Sequence, residues 1–309
     1  MSPPDESFRA GGGLLPSPGA WREGGRVFDF VGAPVFGLSR GPTASPAAAV
    51  LFLHGVPGSS YDFARLWPRL GRKRALAAFD FVGFGLSGAA EGFGYGLVEQ
   101  ADVALAAAAA LGVSRAHLVA HDVGGAVAAE LLARRERKLS PLTIESLALL
   151  GGGPLPALCQ GARLSRWVRR LAARGGAPRA LSFALFRWAF RRGFGDPAVL
   201  GPAETRRAFD LFVDGESSPR AARALVYADE LRQPPARWWA ALARLDLPSL
   251  VLWGAHDRVL TANHAPQLGR HIRGARVRVL GGLGHSPQIE APDAVAAELE
   301  AFWDDVEGP

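Results

Sequence analysis

The sequence predicts an α/β fold: a doubly wound, mostly parallel sheet with a helical cap inserted late in the chain. Three observations predict it. Short, continuous apolar runs alternate with Ala/Leu-rich helical stretches, a rhythm that signals a parallel sheet. The rhythm stops between about residues 154 and 235 and then resumes. Within the first block, an apolar strand runs into a tight turn of small residues around Asp122, and an Ala/Leu-rich helix follows.

The elements can be read in order. Residues 1–20 hold Pro3, Pro4, Gly11 to Gly13, Pro16 and Pro18 and read as a flexible lead. β-favouring runs follow at 26–30 and 34–38, then a continuous apolar strand at 48–53. A helix-like segment at 61–70 precedes a strand at 74–79. Residues 96–111 are mostly Ala and Leu and read as a helix. The strand at 117–120 leads into the turn and a helix running to about Arg137. Residues 144–150 form another apolar strand, ended by Gly151-Gly152-Gly153-Pro154. From there the pattern is helical, rich in Arg, Leu, Ala and Phe, and broken by Gly175-Gly176, Gly193 and Gly201-Pro202. Strand–helix alternation returns with 249–253, 262–272, 276–280 and 292–303. The organisation is therefore a lead (1–20), a first core part (21–153), a cap (154–237) and a second core part (238–309). A cap in that place supplies apolar walls that exclude water and shape a pocket.

Composition bounds the function classes. Hydrophobic residues make up 49% and charged residues 21%, which predicts a sizeable core rather than disorder. The single cysteine, Cys159, excludes an intrachain disulfide framework and fits a reducing, cytoplasmic compartment. No cationic start leads into an apolar stretch, and no apolar run reaches the roughly twenty residues of a spanning helix, so neither a secretory signal nor membrane insertion is expected. The net charge is +6, carried almost wholly by arginine, since lysine occurs only at Lys73 and Lys138. Arginines are dense between Arg163 and Arg237 and are interleaved with Trp167, Phe183, Phe186, Trp188 and Phe190. That pattern fits an anionic surface or, more simply, amphipathic helices with a solvated arginine face. No nucleic-acid motif and no metal-ligand spacing accompanies it, so neither partner is expected.

The chemistry sits at strand ends, where open α/β sheets place their ligands. In Leu118-Val119-Ala120-His121-Asp122-Val123-Gly124-Gly125, a strand–turn–helix elbow would thrust the Asp122 side chain outward. Such a turn needs small neighbours, and Ala120, Gly124 and Gly125 supply them. Serine at its centre would predict an esterase. Aspartate makes alkyl-enzyme esters, attacking saturated carbon that carries a strained or good leaving group. The plainer alternative is an exposed Asp that caps the following helix. Three further strand ends argue against it. His54-Gly55-Val56-Pro57-Gly58 can aim the Val56 N–H at an oxyanion, paired with the N–H of Val123. Asp257 follows the strand ending at Trp253, and His285 follows the strand ending at Leu280. Nucleophile, acid and histidine thus fall in the chain order of a hydrolase triad, with the cap between the first two. Gly151 and Gly152 stand at the end of the preceding strand, so Asp257 has no competitor there. His54, His121 and His256 read as loop-holding histidines, and residues 80–87 as a structural loop.

On these motifs the chain resembles the α/β-hydrolase superfamily over residues 21–306, in its epoxide hydrolase and haloalkane dehalogenase branch. The nearest resemblance is to the mesoderm-specific transcript group. The stretches that carry it include Phe81-Val82-Gly83-Phe84-Gly85-Leu86-Ser87, Glu99-Gln100-Ala101, His121-Asp122, Leu142-Thr143-Ile144-Glu145-Ser146-Leu147 and Pro287-Gln288-Ile289-Glu290. The resemblance implies the fold, the cap, the Asp122–Asp257–His285 triad and no cofactor. Departures from the branch then choose among its reactions. Haloalkane dehalogenases hold halide with a tryptophan just after the nucleophile, and many add Asn or Glu in the oxyanion loop. Fluoroacetate-type enzymes place arginine after the nucleophile. Here those places are Val123 and Val56. Epoxide hydrolases use two cap tyrosines as proton donors. Of the three tyrosines only Tyr227 falls in the cap, shortly before Arg237-Trp238-Trp239, where it resembles the second of that pair. The expectation is an enzyme acting on a small apolar epoxide. Dehalogenation and a non-catalytic ligand- or lipid-binding role are the alternatives.

Overall fold

In the computed structural model, an eight-stranded sheet runs in the order β1-β2-β4-β3-β5-β6-β7-β8. The structure describes residues 16–44, 47–56, 58–71, 73–156, 183–213 and 227–308. The strands are β1 (Gly25–Phe30), β2 (Ala33–Arg40), β3 (Ala49–Leu53), β4 (Leu76–Phe79), β5 (Arg115–His121), β6 (Thr143–Leu150), β7 (Ser249–Gly254) and β8 (Arg276–Leu280). β2 is antiparallel to both of its neighbours, and every pairing from β4 through to β8 is parallel.

Burial explains why the central strands lack polar alternation. All five residues of β3 are fully buried, because helices cover both faces of the sheet. Leu51 and Leu53 point into one layer, which also takes Leu118, Ala120 and Trp253. Val50 and Phe52 point into the other, with Val119, Leu250 and Leu252. That second layer is closed by Trp21, Trp67 and Trp303, each at most 2% exposed. Trp303 comes from the final helix, Pro292–Glu307, whose Val295, Leu299, Phe302 and Trp303 repeat at helical spacing along one face.

Two elements differ from the sequence reading. Residues 61–70 do not form one helix. A 3₁₀ turn at Ser60–Phe63, started by Ser59, and a short helix at Trp67–Leu70 share the span. Pro68 is the physical reason, since it has no N–H to continue a helix through the Ala64 carbonyl. The end of the presumed lead is ordered too. Ser17 caps a helix at Pro18–Glu23, and the Tyr61 hydroxyl donates to the Pro16 carbonyl at 2.7 Å. Residues 1–15 lie outside the described residues, as do 157–182 and 214–226 of the cap.

Between β6 and β7 the regular elements among the described residues are helices: α5 (Phe183–Arg191), α6 (Pro202–Val213), α7 (Tyr227–Arg232) and α8 (Ala236–Ala243). α8 packs on the helix Gly124–Glu136 that leaves the elbow, and Glu130 ties the two together. Its carboxylate is 4% exposed and accepts from Trp238 Nε1 at 2.6 Å, Arg237 Nε at 2.7 Å and Arg134 Nε at 3.0 Å. Burial opposes its charge, but these three donors outweigh burial and hold its pKa below the usual glutamate value. Glu130→Ala leaves the indole N–H and two guanidinium groups without that acceptor. The expected loss is about 2–3 kcal/mol of unfolding free energy at unchanged denaturant slope, read by urea titration. A loss under about 0.5 kcal/mol would show that solvent replaces Glu130.

Candidate active site

The site is built where β3, β5, β6, β7 and β8 end on the same side of the sheet. Asp122 sits in the turn between β5 and its helix at φ +53°, a left-handed backbone that costs a non-glycine residue on the order of 1–3 kcal/mol. Packing enforces it. A Cβ on Gly124 would stand 2.5 Å from the Leu53 carbonyl oxygen. A Cβ on Gly152, after β6, would stand 2.2 Å from the Asp122 carbonyl oxygen. The elbow is thus wedged between two neighbouring strand ends, with room only for glycine on either side. Backbone bonds lock it there, with Asp122 N–H to the Leu150 carbonyl at 3.3 Å and Gly153 N–H to the Asp122 carbonyl at 3.1 Å.

The strained turn presents a carboxylate whose two oxygens have different surroundings. Asp122 Oδ2 accepts the Val56 N–H at 2.9 Å, and Oδ1 faces His285 Nε2 at 3.6 Å. On the far side of that ring, His285 Nδ1 donates to Asp257 Oδ2 at 2.9 Å. Asp257 Oδ1 accepts the N–H groups of Val259 and Leu260, both at 2.8 Å, which fixes the carboxylate. The three residues read from the sequence as a triad therefore meet, and all three are buried. Val56 points its N–H at the carboxylate, and Val123, itself buried, opens the helix after the elbow. Tyr227 begins α7 and is half-buried against the main core layer.

Electrostatics separates the groups. Burial works against charge on His285, but the neighbouring carboxylates, Asp122 facing one ring nitrogen and Asp257 bonded to the other, outweigh burial and push its pKa up to about 10. Burial likewise opposes the Asp122 charge, and the His285 ring overcomes it, holding Asp122 below its ordinary value. At neutral pH the ring is an imidazolium between carboxylates. His54 and His121 are the reverse case, each lowered to about 4 chiefly by burial and hence neutral.

These two histidines hold loops, as the sequence predicts. His54 Nδ1 donates to the Gly55 carbonyl at 2.8 Å, and its Nε2 accepts the Phe81 N–H at 3.0 Å, which steadies the turn carrying Val56. His121 Nε2 donates to the His285 carbonyl at 3.0 Å. His256 is joined to the same region by its backbone N–H, bonded to the Leu283 carbonyl. The 80–87 loop is a scaffold: Asp80 accepts the N–H groups of Ser60 and Leu86, both at 2.6 Å.

Glu290 escaped the sequence reading. It accepts the N–H groups of Gly284 and Gly195 at 2.9 and 2.8 Å, joining the histidine loop to the end of α5. Gly193 accepts the His285 N–H itself at 2.6 Å. No short-range pattern marks the contacts made by Gly193 and Gly195, because they join segments more than ninety residues apart. Among the described residues no cluster of three metal-ligating side chains occurs, and no helix is long and apolar enough to cross a membrane. A wide cleft of ≈ 610 Å³ lies at the opposite end of the sheet, beside Lys73, Arg74, Arg115 and Glu307, away from the triad.

Comparison with known proteins agrees with this fold. The family model described as alpha/beta hydrolase fold matches residues 48–292. The chain is 34% identical over 295 residues to "Putative hydrolase LipZ" of Mycobacterium tuberculosis, covering 91% of this chain and 96% of that protein. It is 30% identical over 291 residues to the human "Mesoderm-specific transcript homolog protein", covering 90% and 85%. Among solved structures, a haloalkane dehalogenase loop variant from Bradyrhizobium elkanii superposes with a TM-score of 0.71 at 24% identity, covering 92% of this chain and 97% of that one. With a sheet of this order, an elbow wedged at its centre and a family match over most of its length, the chain belongs to the alpha/beta hydrolase fold family.

Proposed function

We propose that this hydrolase opens an apolar epoxide to a diol through a covalent alkyl ester on Asp122. The observation that carries the reading is the asymmetric placement of the Asp122 carboxylate. Oδ2 is engaged by the Val56 N–H while Oδ1 faces His285, so one oxygen is left to attack carbon and the other already has a donor. In the first step Oδ1 bonds to the epoxide carbon as the ring C–O bond breaks, and Tyr227 donates a proton to the departing oxygen. Esterification removes the Asp122 charge. His285 then loses one of the two carboxylates that hold its proton, and releases that proton through solvent to the Tyr227 phenolate, so that a neutral ring serves as base in the second step. It draws a proton from water, which attacks the ester carbonyl. Negative charge develops on Oδ2, where the Val56 N–H is already aimed and Val123 supplies the neighbouring one. The chemistry calls on no cofactor.

The apolar character of the substrate is read from Phe190, Phe194, Leu200 and Ile289, which cluster next to Gly193, the residue whose carbonyl accepts the His285 N–H. Dehalogenation is the alternative, and Val56 and Val123 argue against it because neither offers a side-chain donor to a halide. Cytoplasmic residence and a role without nucleic acid or membrane insertion belong to the same proposal.

Single turnover in heavy-oxygen water is expected to place label in the Asp122 carboxylate, detected by peptide mass spectrometry; label confined to the product would mean direct attack by water. His285→Gln is expected to react once and stop, leaving the protein heavier by one substrate, so an unshifted intact mass in the presence of bound substrate would remove His285 from ester hydrolysis. Tyr227→Phe is expected to slow alkylation by about 10² or more and to spare ester hydrolysis. A change below about threefold in the alkylation step would reduce Tyr227 to a packing residue.

A further inference from the structure

The three residues that meet at the strand ends are not held by the same parts of the chain. Asp122 is fixed from within the core, by the Leu150 carbonyl, the Gly153 N–H and the Val56 N–H. Asp257 is fixed by the N–H groups of Val259 and Leu260, which follow β7 directly. His285 is different. The strand before it, β8, is the last of the sheet and pairs only with β7. The loop that then carries His285 reads Gly281-Gly282-Leu283-Gly284, and three glycines in four residues give it little stiffness of its own. The His285 carbonyl accepts from His121 in the core, but its N–H is taken from outside the sheet. It donates at 2.6 Å to the carbonyl of Gly193, in the segment between β6 and β7.

There the two chains meet main chain to main chain. A Cβ on Gly284 would stand 2.3 Å from the Gly193 carbonyl oxygen and 2.5 Å from the Gly195 nitrogen. One on Gly195 would stand 2.0 Å from the Gly282 carbonyl oxygen. Glu290 fastens this contact. Its Oε2 accepts the Gly195 N–H at 2.8 Å and the Gly284 N–H at 3.0 Å, and its Oε1 faces the Gly284 N–H at 2.9 Å. The Ser286 N–H bonds to the same carboxylate. One side chain therefore grips both neighbours of His285 and the segment that takes the His285 N–H. Bonds to an ionised acceptor are roughly twice as strong as neutral ones. Phe194 and Ile289, adjacent in sequence to Gly195 and Glu290, pack in one apolar cluster beside them.

We infer that Glu290 is a positioning residue for His285, coupling the segment between β6 and β7 to the imidazole and not to the nucleophile. The inference rests on the reading given above, in which His285 splits the Asp122 ester. Without the Glu290 carboxylate the glycine loop is free to shift, and the ring shifts with it. His285 Nε2 stands 3.6 Å from Asp122 Oδ1, so a displacement of about 1 Å takes the ring off the line between water and ester, an error that costs on the order of 10²-fold in rate. Alkylation does not pass through this contact. None of the bonds that fix Asp122 comes from the segment, and Tyr227 lies on α7, which Glu230 fastens separately by accepting the Leu97 N–H at the start of the helix Leu97–Ala110.

The test separates the two steps. Single turnover of octene oxide is quenched at intervals and read by intact mass, which follows both the formation and the decay of the Asp122 ester. Glu290→Ala is expected to form the adduct within about threefold of the parent rate and to lose it about 10²-fold more slowly. Glu290→Gln is expected to fall between the two, because one amide oxygen in the place of Oε2 serves both Gly195 and Gly284. Gly195→Ala keeps Glu290 but drives a methyl group against the Gly282 carbonyl; it is expected to reproduce the slow decay, and it replaces Glu290→Ala if that variant does not fold. Proton NMR of the unreacted protein reads the same contact without chemistry. The His285 Nδ1–H, bonded to Asp257, is expected to give a far-downfield resonance that is absent in His285→Gln and broadened away in Glu290→Ala. Equal slowing of both steps, or ester decay within about threefold of the parent, overturns the Glu290 assignment and leaves the ester chemistry standing. No adduct in the parent protein overturns the alkyl-ester reading, and the resonance then decides alone: unchanged in Glu290→Ala it overturns the positioning role, and lost it supports that role.

Discussion

The steric wedge at the elbow is the constraint on which the rest depends. Asp122 keeps a left-handed backbone only because Gly124 and Gly152 let β3 and β6 close on it from both sides. The local cost is met by the surrounding sheet, whose central strands are buried on both faces and cannot shift to relieve one turn. Everything chemical follows from that rigidity. The carboxylate is aimed before any ligand arrives, one oxygen toward a backbone donor and the other toward an imidazole. Preorganisation of this kind spares the reaction from reorienting dipoles as charge develops.

Charge is arranged in the same fixed manner. His285 stands between Asp122 and Asp257, and Asp257 is itself held by two backbone N–H groups. The two neighbouring carboxylates therefore raise the proton affinity of the buried ring, against the effect of its burial. The neutral histidines serve mechanical ends instead: His54 steadies the loop bearing Val56, and His121 reaches the backbone of His285 itself. Desolvation alone, without a carboxylate hydrogen-bonded to the ring, separates their behaviour from that of His285.

What the sequence reveals depends on how local the cause is. The strands were legible because burial on both faces makes them continuous apolar runs, as in β3 and β7. The meeting of Asp122, Asp257 and His285 was legible because they fall at strand ends in a fixed order around an insertion. Gly152 was visible as a glycine but not as a wall of the elbow, because the contact it permits involves a segment thirty residues earlier. Glu290 stood in a stretch shared with relatives but carried no sign of its role for the same reason: an acid in a short helical turn looks like a cap until its neighbours in space are known. The 61–70 segment misled because its composition is helical and one proline, Pro68, divides it.

The chain leaves the sheet at Leu150 and re-enters at Ser249, and those two strands lie side by side, with Leu147 to Leu150 registered against Ser249 to Leu252. The excursion between them closes on itself, so the sheet does not depend on its length. Because the entropy of closing such a loop rises only with the logarithm of its length, long and short excursions are nearly equivalent to the core. The segment between β6 and β7 is one uninterrupted stretch of sequence, while Asp122, Asp257 and His285 are written on either side of it. A recombination event or a designer can exchange that stretch as a single cassette, and the strand ends that carry the chemistry remain in register.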